Sequence, residues 1–206
     1  MFQANSLQFS RDNRVLFHNF SLAVQGGQGV VLTGDNGAGK TTLLKILAGL
    51  IQPQQGEVLF QSENIQESTQ FAQARYFMSH QLGLKNSFTA AQMVTFFMAF
   101  RGIASESTAV LNMFGLGALS EQPIKSFSAG QKQKLALSLA FAAQAKLLLL
   151  DEPTSNLDAS GLRAFTEAIN LHLEKGRMLV FSSHDPKHFS HLPVQVCNIA
   201  GGQHAH

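Results

Sequence analysis

The stretch Gly34-Asp35-Asn36-Gly37-Ala38-Gly39-Lys40-Thr41 decides how the rest of the chain is read. It follows the apolar run Gly29-Val30-Val31-Leu32-Thr33 and opens onto Thr42-Leu43-Leu44-Lys45-Ile46-Leu47-Ala48. That order is strand, glycine-rich turn, helix, with the GxxxxGK[ST] spacing across the turn. Glycines let successive backbone N–H groups turn inward around phosphate oxygens, and the positive end of the following helix points at the same anion. Residues Gly34, Asp35, Asn36, Gly37, Ala38 and Gly39 are therefore expected to wrap phosphates, with Thr42 in the first helical turn. Lys40 adds a mobile cation for the outer phosphates, and the Thr41 hydroxyl is placed to ligate Mg²⁺. The expected ligand is a nucleoside triphosphate with Mg²⁺.

Size and charge narrow the surroundings of this site. A chain of 206 residues, 45% hydrophobic and 14% charged, suits one domain with a real core. A net charge of +2 without a Lys/Arg run gives no electrostatic footprint for nucleic acid. The lone Cys197 excludes an internal disulfide framework and is expected to be a packed core residue. The start Met1-Phe2-Gln3-Ala4-Asn5 lacks the basic and apolar segments of a signal peptide. The most apolar region, 135–150, is interrupted by Ser138, Gln144 and Lys146, short of the ~18–20 apolar residues of a membrane span. Work at a membrane would go through a partner.

Along the chain, Gln3 to Phe9 and Phe20 to Val24 alternate as short strands around a polar turn at Arg11-Asp12-Asn13-Arg14. Gly49 and Pro53 stop the first helix. Further strands are expected at 56–60, 75–79, 146–150 and 177–182, and helices at 132–145 and 160–175. The Phe- and Met-rich segment 89–121 reads as a helical lobe inserted into the α/β core. The expected fold is thus a mostly parallel sheet with an N-terminal antiparallel part. The domain division is 1–84 and 146–206 for the core, and about 85–145 for the lobe. The tail 201–206 reads as frayed.

Three core strands end in polar residues: the phosphate loop, Asp151-Glu152, and Ser183-His184. In a parallel sheet their C-terminal ends share one edge, where ligands bind. Asp151 is expected to reach the Mg²⁺ site, directly or through a water, and Glu152 to accept a proton from a water attacking the terminal phosphate. His184 is expected to meet the terminal phosphate. Ser128-x-x-Gln131 before an apolar helix matches a capping box, and with Gly130 the same helix end is open to a second phosphate; spacing leaves both readings standing. His188, His191, His204 and His206 lack the carboxylate or Cys partners of a metal site.

The order GDNGAGKT, Gln81, FSAGQ, LLLLDE, Ser155-Asn156-Leu157-Asp158 and His184 resembles the nucleotide-binding subunit of ABC transporters over nearly the whole chain. That resemblance implies the P-loop NTPase fold of ABC ATPases. It implies Gln81 as the Q-loop residue touching Mg²⁺ and sensing the membrane partner, Glu152 as catalytic glutamate, His184 as switch histidine and Asp158 as D-loop residue. Ser128, Gly130 and Gln131 fall on the signature motif, with Ala129 for its commoner glycine and Phe127 for leucine. Two such subunits pair head to tail, so each signature helix would close the partner's ATP site. Relatives stack adenine on an aromatic residue in the early turn; here Arg11 or Phe9 stands in that region.

A narrower resemblance, in Arg11-Asp12-x-Arg14-x-Leu16-Phe17, His80-Gln81-x-Gly83-x-Lys85 with Phe88-Thr89-Ala90, and SAGQ, is to the ATPase subunits of haem exporters in bacterial cytochrome c maturation. It implies separate transmembrane subunits, a peripheral place on the cytoplasmic face of the inner membrane, and release of a haem-loaded chaperone, with no direct haem contact by this chain. The strand before Asp151 is all leucine where that family commonly has a Trp. The alternatives are the ATPase subunit of another ABC exporter and, more distantly, a soluble ABC-type switch on ribosome or nucleic acid.

Overall fold

The apolar runs of the sequence become the interior of two sheets. A computed structural model describes residues 1–12, 14–104 and 106–199. Asn13 of the expected turn, Ser105 within the expected lobe, and the tail with His204 and His206 lie outside the described residues. The strands are β1 (Phe2–Arg11), β2 (Arg14–Val24), β3 (Gly29–Thr33), β4 (Gln55–Phe60), β5 (Glu63–Asn64), β6 (Arg75–Met78), β7 (Leu147–Leu150), β8 (Met178–Ser182) and β9 (Val194–Asn198). The helices are α1 (Lys40–Leu47), α2 (Thr69–Ala74), α3 (Ala90–Phe100), α4 (Ser107–Asn112), α5 (Ala129–Ala142) and α6 (Ala159–Glu174). The chain divides into two compact units: Met1–Phe77 with Ala145–Asp151 and the chain from His172, and Met78–Gln144 with Glu152–Leu171.

In the first unit, one sheet has the order β2-β1-β4-β5 and the other β6-β7-β8-β3-β9. β3 lies parallel to β8 and β9, and β7 lies parallel to β8. Every residue of β7 and β8 is buried, which is why they read as unbroken apolar runs rather than alternating ones. The N-terminal hairpin is longer than the alternation predicts. Its register shifts between Ala4 and Leu7 and again near Phe9, and Ser6 and Asn19 take φ of 46° and 53°. Such irregularities insert residues into the ladder and break the period of two on which the expectation rested. The strand β9 carries the exposed Val196 and gave no strand pattern in the sequence. Cys197 within it is buried, and burial pushes its thiol pKa up.

Phenylalanines fill the core between the antiparallel sheet and α1: Phe71 stacks on Phe2 at 6.1 Å and meets Phe60 at 5.5 Å. In the second unit, α3, α4 and α5 enclose their own core, from Met93, Val94 and Met98 to Leu135 and Leu139. Capping boxes at Thr89/Gln92 and Ser128/Gln131 start α3 and α5. α5 therefore begins at Ala129, earlier than expected, and it ends at Ala142 because Gln144 turns to a φ of 51°.

His172 is 3% exposed and sets Nε2 3.1 Å from the Met178 carbonyl. Burial pushes its pKa from 6.5 down to about 4. The folded state thus binds this proton less tightly than the unfolded chain. Its contribution to stability is complete above pH 6.5 and is lost as pH falls towards 4, by about 3 kcal/mol in all. Urea unfolding across this range should show that slope, and His172→Gln should flatten it.

Candidate nucleotide-binding site

Within the first unit, the ends of β3, β7 and β8 and the start of α1 build a candidate phosphate site. The register sets Leu150 beside Phe181, which brings Asp151 level with Ser182. Ser182 Oγ donates to Asp151 Oδ1 at 3.0 Å, and Thr41 Oγ1 lies 3.1 and 2.9 Å from the two carboxylate oxygens. Asp151 is only 2% exposed, so these hydroxyls fix its direction. Lys40, also buried, donates from Nζ to the carbonyls of Gly34 at 2.7 Å and Asp35 at 3.1 Å. Gly37 and Gly39 hold φ of 80° and 103°, the left-handed turns that aim the loop amides inward. A cavity of about 570 Å³ opens over the loop, lined by Gly34, Asp35, Asn36 and Ala38 together with Arg14, His184 and Asn198. The expected Arg11 does not line it. Arg11 pairs with Asp12 at 3.6 Å on the exposed hairpin end, and Phe9 packs against Phe17 at 6.1 Å.

The second unit carries Gln81, the signature helix, Glu152 and Asp158. Gln81 is exposed, and its carbonyl accepts from the Ser79 hydroxyl. Glu152 is half-buried at a φ of 48°, with Oε2 4.0 Å from His80 Nδ1. The capping box at the head of α5 is formed: Gln131 N–H donates to Ser128 Oγ at 3.2 Å and Ser128 N–H to Gln131 Oε1 at 2.8 Å. From that end, α5 holds the segment from Glu152 to Gly161 at three levels. A Cβ on Gly130 would stand 2.6 Å from the Asn156 carbonyl oxygen, so the glycine has a steric cause inside this unit. Buried Gln133 donates to the Pro153 carbonyl at 2.8 Å. Lys134 Nζ lies 2.9 Å from Asp158 Oδ1 and 3.1 Å from Ser160 Oγ. Asp158 also caps α6 by accepting from Gly161 N–H at 2.7 Å. The Lys134 ammonium, then these N–H and hydroxyl donors, hold the Asp158 carboxyl well below the usual carboxylate range.

Residues 17–155 match the family described as ABC transporter. The chain belongs to that family. It is 34% identical to the cytochrome c biogenesis ATP-binding export protein CcmA of Rhizobium johnstonii, over 89% of this chain and 87% of that protein. To the protein of the same name from Escherichia coli K12 it is 35% identical, over 90% of each. It is thus an ABC-type ATPase subunit, homologous to CcmA. Among solved structures, an ATP-binding subunit of an ABC transporter superposes with a TM-score of 0.85 at 22% identity, covering 98% of this chain and 87% of the other. An ATP-binding cassette solved as a dimer with ADP and Pi gives 0.84 at 21%, covering 98% and 96%. These likenesses bear out the ABC ATPase fold expected from the motif order. Among the described residues, no helix is long and apolar enough to cross a membrane.

Arg14 was read in the sequence only as part of the early turn and of the narrower resemblance, with no role at the site, and Gln133 and Lys134 were not singled out. Gln133 and Lys134 stand three and four positions after Gly130, the spacing that shares a helix face, and that signal was there to use. Gly130→Ala should push α5 against the Asn156 carbonyl and destabilise the chain by about 1–3 kcal/mol, read by thermal unfolding. Lys134→Met should raise the Asp158 pKa towards that of an ordinary aspartate, read by NMR titration of its carboxyl.

Proposed function

We propose that the chain is the ATP-hydrolysing subunit of a bacterial export complex in cytochrome c biogenesis, the step that exports haem and releases its loaded chaperone. The relatives named for that process support this reading. So does the arrangement that carries the chemistry, a phosphate loop whose Thr41 hydroxyl meets a buried Asp151 carboxylate beside a cavity that also holds His184. The chain acts as one ABC ATPase domain with residues 85–145 as its signature lobe. It works at the cytoplasmic face of the inner membrane through separate transmembrane subunits.

Thr41 and Asp151 converge at 2.9 Å with hard oxygen donors suited to Mg²⁺. Thr41 and Asp151, with Gln81, would hold the ion, which would supply charge neutralisation at the outer phosphate oxygens. Gly34 to Gly39 present their amides to the phosphate chain, Lys40 turns from the loop carbonyls to the outer phosphates, and Thr42 adds contacts at the helix start. Glu152 takes the proton of the attacking water, and His184 contacts the terminal phosphate. Ser128, Gly130, Gln131 and Asp158 of a second copy, paired head to tail, close the site across the dimer. The chain itself makes no contact with haem and binds no nucleic acid.

Lys40→Ala should abolish ATP binding. Glu152→Gln should retain binding and lose hydrolysis, by a hundredfold or more on the scale of a positioned base, about 10²–10⁴. Turnover per chain should rise with concentration in the pairing range. Wild-type hydrolysis by the Glu152→Gln chain in its complex would end the general-base assignment, and concentration-independent turnover would end the shared site.

A further inference from the structure

We propose that Arg14 grips the phosphate chain of the bound nucleotide, as a second cation facing Lys40 across the loop. The inference rests on the nucleotide site described above and adds a residue to it. The start of β2 meets the phosphate loop at two points. Leu16 lies 3.3–3.7 Å from where a Cβ on Gly39 would stand. Two residues earlier in the chain, on the far side of the register shift at Leu16, Arg14 Nη1 lies 3.9 Å from the corresponding point on Gly37. The apolar side chain thus buttresses the base of the loop, and the cationic one reaches over its tip.

Charge points the same way. Arg11 and Arg14 are cross-strand partners at the hairpin end, and Asp12 neutralises Arg11. Among the described residues, no carboxylate stands within ion-pair distance of Arg14. Arg14 instead lines the cavity shared with Gly34 to Asn36 and His184. Lys40 is a point charge held at the loop carbonyls, whereas a planar guanidinium offers paired donors that match two phosphate oxygens. The ligand chemistry this selects is a polyphosphate, whatever base it carries.

Calorimetric titration of the full-length chain with Mg·ATP and with Mg·tripolyphosphate tests this, using Arg14→Ala, Arg14→Gln, Arg14→Lys and Lys40→Ala. Arg14→Ala and Arg14→Gln should each weaken both ligands about tenfold, the worth of one charged hydrogen bond. Arg14→Lys should lose less, and the deficit should shrink at high salt. Undiminished affinity in both neutral variants, with melting temperatures intact, overturns the proposal. Weakened ATP with unchanged tripolyphosphate also overturns it, because the guanidinium would then serve the base or ribose. If Lys40→Ala too left ATP binding intact, the nucleotide reading itself would fail, a result separate from Arg14.

Discussion

The contact on which the phosphate half of this protein depends is the three-way meeting of Asp151 with the hydroxyls of Thr41 and Ser182. A carboxylate taken out of water costs free energy unless polar groups receive it. Here the receiving groups come from the first turn of α1 and the end of β8, while Asp151 itself ends β7. Three elements distant in sequence are therefore fixed to each other at one point, on the edge of the sheet where the phosphate loop emerges.

The second unit is governed by a different economy, of backbone carbonyls held by side chains of a single helix. Gln133, Lys134 and the bare Cα of Gly130 meet the segment after Asp151 at successive carbonyls and carboxylates. Glu152 sits in that segment at a φ costing a non-glycine residue about 1 kcal/mol, and the hydrogen bond at the next residue helps to hold it there. The head of α5 and the glutamate thus belong to one braced piece. A displacement of that helix end would be passed to the glutamate without an intervening loop.

Much of this was legible in the sequence because the decisive signals are local. The glycine spacing of 34–41, the leucine run ending in Asp151 and the Ser128/Gln131 box each announce their geometry within a few residues. What was not legible depends on partners far away in the chain. The hairpin was cut short because bulges at Ser6 and Asn19 hide its period. β9 was missed because an edge strand with one buried residue carries no pattern. Arg11 drew attention because it falls where relatives stack adenine, yet a register shift at Leu16 sets which side chain of the hairpin end meets the loop, and that one is Arg14. The phase of a strand relative to a loop is not written in either segment alone.

The position of β3 has a consequence for how the protein is made. This strand delivers the phosphate loop, yet it sits between β8 and β9, with partners about 150 residues downstream. During synthesis the loop leaves the ribosome about 150 residues before its flanking strands. Until β8 and β9 emerge, β3 is an apolar ribbon with both edges bare, open to wrong partners. A nascent chain would carry the complete GxxxxGKT sequence through that whole interval and still lack the scaffold that gives that sequence its shape.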